Sequence, residues 1–334
     1  MLKNCTILIT GGTGSFGKAF VDLTLQKYRP KKIIIYSRDE MKQWQMKQKY
    51  LNDNRLRFFI GDVRDKGRLN RAMNNVDYVI HAAALKIVPT AEYNPFECIK
   101  TNIIGAMNVI EACIDNKVKK TVALSTDKAS SPSNLYGASK LASDKAFISG
   151  NFSYAGGKNS RFSVVRYGNV MGSRGSIIPL FLDLNKTKEP FPITDRRMTR
   201  FMITLNSGIE LVWHALKNMT GGEIYIKKIP SIKVLDIAKA INPKKKINII
   251  GLRPGEKMHE QMIGAEDARN TYEFNNHFVI YPNNELILHK YFRLNKFKKV
   301  KENFIYSSDL NNEWISIKEL SLWIKKNEYK FREI

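Results

Sequence analysis

The first 170 residues alternate short, nearly all-apolar runs with stretches of helical spacing. Thr6–Thr10, Lys32–Tyr36, Arg57–Ile60, Tyr78–His81, Thr121–Ser125 and Phe162–Arg166 are rich in Ile, Val and Phe and show little alternation of polar with apolar positions. Strands of that kind are covered on both faces, as in a parallel sheet. Between them, Phe96–Asn116 and Asn134–Ser149 place apolar residues at helical intervals. Strand and helix in alternation predict an α/β fold, a doubly wound parallel sheet with right-handed crossovers. After about residue 170 the rhythm breaks. Loops carrying Gly and Pro (Gly172 to Pro179, Pro190 to Thr199) separate helical Leu205–Lys217 and Leu235–Ile241. The expectation is a first domain over 1–170 and a smaller lobe over 171–334, some segments interleaved. That lobe would pack on the carboxyl ends of the strands, where ligands bind in such sheets.

Composition narrows the class. Among 334 residues, 43% are hydrophobic and aromatic residues make up 10%, which excludes global disorder. Cys5, Cys98 and Cys113 are too few and too scattered for a disulfide scaffold or a zinc site, so no metal is expected. No run approaches the roughly 18 apolar residues of a membrane span. The chain enters its first strand without the layout of a signal peptide. The expectation is a soluble, cytoplasmic protein. Its 55 Lys and Arg against 31 Asp and Glu give a formal charge of +24, which favours anionic partners. No zinc-finger spacing, RNA-recognition signature or heptad array accompanies the charge, so nucleic acid is not expected. Lys244-Lys245-Lys246 and Lys296 to Lys301 read as solvated runs.

A phosphate site answers the charge better. Thr10-Gly11-Gly12-Thr13-Gly14-Ser15-Phe16-Gly17 follows the first strand and opens a helix. Glycines at 11, 14 and 17 permit a tight turn, close approach of a pyrophosphate and close helix–strand packing, and the helix N-terminus offers unpaired N–H groups to phosphate. A glycine triplet alone is weak; here the strand, the helix and the position in the chain all agree. The second strand ends in Ser37-Arg38-Asp39-Glu40-Met41-Lys42. Ser37, Arg38 and Lys42 suit the 2′-phosphate of NADP, whereas Asp39 and Glu40 keep NAD open. Asp62 and Val63 after the third strand are placed to bracket adenine, and Ala82 lies among small residues beneath the cofactor.

Tyr136 and Lys140 stand four residues apart, on one helix face. A nearby cation favours the phenolate, which lets Tyr136 exchange a proton with a hydroxyl while hydride moves to a nicotinamide. Taken alone such a pair is ordinary surface decoration. After a dinucleotide loop it resembles the extended short-chain dehydrogenase/reductase superfamily. The resemblance covers the whole chain and implies a Rossmann-type cofactor domain with a C-terminal nucleotide-sugar lobe.

Within that superfamily, Thr126-Asp127-Lys128 with an intact Tyr136 looks like the inverting UDP-N-acetylglucosamine 4,6-dehydratases of pseudaminic acid synthesis. Ala84-Leu85-Lys86, Ala91 to Pro95, Arg166 to Val170, Gly172 to Ser176, Met198 to Phe201, Arg253 to Lys257 and Tyr306 to Asp309 extend the match. The resemblance implies UDP-N-acetylglucosamine as substrate and a homo-oligomer as the assembly, with apolar residues on the two predicted helices as its interface. Catalysis would rest on Tyr136 and Lys140 at the C4 hydroxyl, on Lys128 as a neutral amine removing the C5 proton, on Asp127 as the acid at C6, and on Thr126. A neutral Lys128 calls for a lowered pKa, expected from burial and from Lys140, Lys86 and oxidised nicotinamide; a proton-bearing Asp127 calls for a raised one. Lys86, Asn169, Arg174, Arg200 and Arg253 would hold sugar and diphosphate, the guanidinium forks on phosphate. Thr101, Val170, Ile177, Thr194, Ser308, Asp309 and Asn311 would line the cofactor or the substrate by position in the family pattern.

The sequence departs from the pattern where Ile87 replaces the usual His, at Leu310, and in the basic segment near Tyr291–Glu302. Alternatives are a related UDP-sugar dehydratase or C5-epimerase for capsule or O-antigen sugars, and a non-catalytic NADP-sensing regulator. A UDP-sugar 4-epimerase has no use for an Asp–Lys pair.

Overall fold

A computed structural model describes residues 2–51, 53–154, 160–282 and 298–332. Strands β1 (Thr6–Thr10), β2 (Lys32–Ser37), β3 (Leu56–Ile60), β4 (Tyr78–His81), β5 (Lys120–Leu124) and β6 (Arg161–Arg166) alternate with helices. These are α1 (Ser15–Lys27), α2 (Glu40–Lys49), α3 (Lys66–Ala72), α4 (Val88–Tyr93), α5 (Pro95–Ile99), α6 (Gly105–Asp115) and α7 (Leu135–Ser149). Next come β7 (Asn169–Val170), α8 (Ile177–Asn185), β8 (Phe191–Ile193), β9 (Thr199–Ile203), α9 (Leu205–Asn218), β10 (Ile224–Lys227), β11 (Ser231–Lys233) and α10 (Val234–Ile241). The chain continues through β12 (Ile247–Ile249), β13 (Gln261–Ile263), β14 (Thr271–Glu273), β15 (His277–Ile280), β16 (Lys298–Lys299) and β17 (Tyr306–Ser307), and closes with the helix Ile317–Arg332.

The main sheet has the order β16-β14-β15-β10-β6-β5-β4-β1-β2-β3. From β10 to β3 every pairing is parallel, and β15, β14 and β16 continue antiparallel. Every residue of β1 is buried, as its unbroken apolar run requires. The strand order reverses beside β1, where β2 leaves on one side and β4 on the other. That reversal opens a crevice at the carboxyl ends of the strands, the general ligand site of such sheets.

Past residue 170 the chain builds a second body and returns to the first. Met171, Ile178, Phe181, Phe191, Ile193, Ile232, Ile237 and Leu320 form a separate small core. α9 packs on α1 and on β5, β6 and β10, while β10, β14, β15 and β16 belong to the main sheet. A cut at residue 170 therefore removes four strands from that sheet.

The expected strands are present, with ends shifted by a residue. Three local expectations need correction. Phe96–Asn116 is two α-helices joined by a π-helical turn over Lys100–Ile104, not one helix. Gly172 to Pro179 is a loop only to Ser176, because Ile177 opens α8. Pro190 to Thr199 holds β8, which pairs with β12. The basic segment near Tyr291–Glu302 lies largely outside the described residues; its Lys298–Lys299 pairs with β14. Among the described residues no helix is long and apolar enough to cross a membrane.

Candidate active site

The loop after β1 is shaped for a dinucleotide. Gly11 has φ +65°, and a Cβ there would lie 3.0 Å from the Ala82 carbonyl oxygen, so only glycine fits between β1 and β4. A Cβ on Gly17 would sit 2.3 Å from the Gly12 carbonyl oxygen, which is how α1 packs so closely on the loop. Gly14 differs. Its nearest neighbour would be the Gly11 carbonyl oxygen at 3.3 Å, and as N-cap of α1 it supplies no side-chain cap. Space and free N–H groups coincide there, and the residues present fit a bound pyrophosphate. Ser15 and Phe16 open α1, and Thr13 reaches the tip of β2 through a 2.7 Å bond between its hydroxyl and that of Ser37.

At that tip, the Asp39 carboxylate caps α2 by accepting from the Lys42 N–H and pairs with the Lys42 ammonium, which holds its carboxyl below the usual range. Glu40 begins α2. Arg38 is exposed and meets Asp62 at 3.5 Å, and Asp62 also accepts from Arg64 at 2.7 Å. Val63 packs against Gly105 at the start of α6, and Thr101 is buried in the π-helical turn. The Lys86 ammonium donates to the Arg174 carbonyl at 3.2 Å, and the Arg174 N–H donates to the Ser15 hydroxyl at 3.3 Å. Arg174 thus lies over the dinucleotide loop and helps to lower the Asp39 carboxyl.

The second cluster forms where β5 ends. Thr126 caps a single 3-10 turn, Asp127–Ala129, and its hydroxyl donates to Asp127 Oδ1 at 2.9 Å. Asn134 caps α7 by accepting from the Gly137 N–H at 2.8 Å. A Cβ on Gly137 would come within 2.2 Å of the Lys128 carbonyl oxygen, so α7 presses directly onto that turn and brings Tyr136 to Lys128 and Asp127. Asn134 Nδ2 donates to the Gly255 carbonyl at 2.8 Å, tying the Arg253–Lys257 loop to the start of the helix.

Asp127 is buried, and desolvation raises its carboxyl as expected, against the lowering pull of Lys128. Its Oδ2 is buried with no partner among the described residues. Lys128 corrects the expectation of a lowered pKa. Its Nζ lies 3.1 Å from Asp127 Oδ1 and 2.8 Å from Oε1 of Glu260, a carboxylate 2% exposed. Burial does lower it, but the two carboxylates together outweigh burial and hold Lys128 as an ammonium. Glu260 also faces Arg200 Nε at 3.7 Å, and its buried Oε2 has no partner among the described residues. Sequence reasoning missed Glu260, which follows the quoted Arg253 to Lys257 stretch by three residues.

Tyr136 is pushed up to about 12 by burial, and the cation that opposes this is Lys128; its hydroxyl bonds Thr126. Lys140, buried on the same face of α7, is lowered by desolvation. Lys128 is thus the cation that most favours the phenolate.

The remaining expected residues divide. Asn169 and Val170 form β7, and Asn169 Oδ1 is a buried acceptor without a partner among the described residues. Ile177 begins α8, Thr194 is buried beyond β8, and Arg253 is exposed. Arg200 is no free fork: Nη1 donates to the Thr199 and Met258 carbonyls at 2.7 and 3.2 Å. Ser308 bonds the Thr199 hydroxyl at 2.7 Å and accepts from the Glu260 N–H at 2.9 Å. Asp309 accepts from the Ser307 hydroxyl. Asn311 Nδ2 donates to the Ile229 carbonyl, the Ser231 hydroxyl and the Glu313 carbonyl, so its amide pins the C-terminal segment.

With this geometry in view, residues 7–282 match the polysaccharide biosynthesis protein family. A UDP-N-acetylglucosamine 4,6-dehydratase (inverting) of Campylobacter jejuni subsp. jejuni serotype O:23/36 (strain 81-176) is 56% identical over 326 residues, 96% of this chain and 97% of that protein. A UDP-glucose 4-epimerase of Rickettsia bellii (strain OSU 85-389) is 44% identical over 287 residues, 84% of each chain. Among solved structures, Pen from Bacillus thuringiensis superposes with a TM-score of 0.89 at 39% identity, over 98% of this chain and 99% of that one.

Proposed function

Since the chain belongs to the polysaccharide biosynthesis protein family, we propose that it is an inverting UDP-N-acetylglucosamine 4,6-dehydratase, dependent on NADP. The observation that carries this reading is the 56% identity to the Campylobacter enzyme over nearly the full length, joined to an Asp127–Lys128 pair set against Tyr136.

NADP is supported by the tip of β2. Asp39 is engaged with Lys42 and the helix N-terminus, so it is poorly placed to hold a ribose diol, whereas Arg38 stands exposed beside it. The chemistry a bound nicotinamide supplies is acceptance of hydride from C4 and its return to C6. The chain moves the protons. Tyr136 takes the C4 hydroxyl proton, its phenolate favoured by the Lys128 ammonium. A 4-ketone acidifies C5–H, and Lys128 removes that proton. Asp127 gives its own to the C6 hydroxyl, which leaves as water, and a proton then enters C5 from the face opposite the one Lys128 deprotonated, which inverts that centre.

The ammonium–carboxylate pair already holds the protons this scheme needs. One transfer along the 3.1 Å contact between Lys128 Nζ and Asp127 Oδ1 yields a neutral amine and a carboxylic acid. Asn169 Oδ1, unpartnered and buried, is the acceptor on this side that suits a sugar or nucleotide donor group. The product feeds pseudaminic acid synthesis in this reading. The assembly is a homo-oligomer through the α5–α6 face, where Phe96 is 75% exposed beside Ile104 and Met107.

The test is mass spectrometry and proton NMR after incubation with UDP-N-acetylglucosamine in heavy water. Loss of one water with deuterium gained at C5 is the expected result. An unchanged donor mass with an altered sugar would instead assign the activity carried by the name of the Rickettsia relative. No turnover at all would favour the sensing regulator.

A further inference from the structure

Glu260 has no part in the scheme above, yet it is the nearest carboxylate to the reaction's base. We propose that Glu260 is the positioning residue of the reaction centre: it anchors Lys128 Nζ beside Asp127 and sets the pH at which Lys128 becomes a base. The proposal rests on the dehydratase reading.

Four observations carry it. The anchor is short and double, since Nζ sits 2.8 Å from Glu260 Oε1 and 3.1 Å from Asp127 Oδ1. The anchor is also rigid: the Glu260 N–H donates to the Ser308 hydroxyl, and the Ser308 N–H returns a 2.8 Å bond to the Glu260 carbonyl. Glu260 is 2% exposed, and a buried carboxylate is costly unless a charge partner compensates it. Its Oε2 has no partner among the described residues, so one acceptor remains open beside the pair.

The charges around Lys128 come from five elements. Asp127 stands on its own turn, Glu260 precedes β13, Arg200 is on β9, Lys257 is in the Arg253–Lys257 loop and Tyr136 is on α7. Glu260 and Asp127 favour the ammonium, and Arg200 and Lys257 oppose it. To serve as base, Lys128 passes one proton to Asp127, breaking N–H and forming O–H, and then accepts the C5 proton on the freed lone pair. Glu260 resists the first transfer by holding the cation, and its charge also favours a second proton on the Lys128–Asp127 pair, so it fixes the pH below which no neutral amine forms. Removing that charge lowers the pKa of Lys128.

The experiment follows C5–H exchange in heavy water against pH, with kcat and KM for UDP-N-acetylglucosamine. In Glu260→Gln the acid limb moves down by at least one pH unit, with KM within about twofold of wild type. Glu260→Asp keeps the charge and the limb but withdraws the anchor, and kcat falls at least tenfold. A Glu260→Gln limb that coincides with wild type overturns the proposal. Should Glu260→Gln fail to fold, Glu260→Asp decides alone: wild-type kcat overturns the proposal, and a tenfold fall at unchanged KM upholds it. If wild type releases no water from UDP-N-acetylglucosamine, the dehydratase reading has failed on its own. Glu260 is then judged by lysine Nζ NMR titration, with Lys128 assigned by its loss in Lys128→Ala. A lower midpoint in a Glu260 variant than in wild type supports the hold on Lys128, and an equal midpoint overturns it.

Discussion

Two alanine substitutions one turn apart in the dinucleotide loop have opposite signatures. At Gly17 an added Cβ lies 2.3 Å from the Gly12 carbonyl oxygen and 2.5 Å from two further Gly12 atoms. Ordinary contact is about 3.5 Å, so the overlap is about 1 Å, and it is with backbone, which cannot swing aside. Overpacking of that kind costs about 1–3 kcal/mol, or about 1–4 °C in Tm for a chain of this length. At Gly14 the backbone has φ −74° and ψ 173°, open to any L-residue, and the new methyl meets only the Gly11 carbonyl oxygen at 3.3 Å. Gly14→Ala therefore costs less than about 1 kcal/mol, the difference between glycine and alanine at an N-cap. Its methyl instead fills the space through which a pyrophosphate approaches α1, weakening NADPH binding at least about tenfold, about 1.4 kcal/mol. Thermal unfolding without ligand and calorimetric titration with NADPH separate the two. Wild-type NADPH affinity in Gly14→Ala would refute the reasoning, because the loop would then not be approached at the position where the fold leaves it open.

Other outcomes follow from buried charge. Lys128→Ala is expected to bind NADPH normally and to abolish C5–H exchange in heavy water; exchange at the wild-type rate sinks Lys128 as the base. Arg166→Met leaves Asp144 buried without its 3.4 Å partner and should cost about 3–5 kcal/mol in urea unfolding. Adding Asp144→Leu should recover most of that loss, and an additive double variant argues against the pairing. His81, 1% exposed, is lowered to about 3 by burial. A lowered folded pKa means the unfolded chain binds the proton first, so stability is constant above about pH 6.5 and falls below it, by about 2 kcal/mol at pH 5 from His81 alone. Urea midpoints equal at pH 7 and pH 5 would contradict this.

The strands of the main sheet were legible because burial on both faces leaves an unbroken apolar run. The dinucleotide loop was legible because its glycines occupy fixed steps between a strand and a helix. The π-helical turn at Lys100–Ile104 was not, since one extra residue per turn barely disturbs apolar periodicity over twenty residues. The charge of Lys128 was misjudged for a physical reason. Burial and neighbouring cations can be counted along the chain, but Glu260 lies 132 positions away and meets Lys128 only through the approach of β13 to the 3-10 turn. Arg200, Ser308 and Asn311 show the same limit. The family pattern marks them as ligand residues, and their hydrogen bonds to carbonyls and hydroxyls of the chain are visible only in the fold.

The return of β10 and β15 to the main sheet bears on how the two bodies can move. The polypeptide passes from one body to the other after β6, again between β9 and α9, again between β10 and β11, again from β13 to β14, and once more after β16 to reach β17 and the C-terminal helix. A tether crossed once swings like a door; one crossed five times behaves like a laced seam. A hinge swing of one body on the other is therefore disfavoured relative to a slight shear along the seam, and neither body is one continuous stretch of chain. In a nascent chain the cofactor sheet stays unfinished until the residues of β10 and β15 have emerged. The proposed proton-transfer cluster and the proposed dinucleotide surface thus mature as one event.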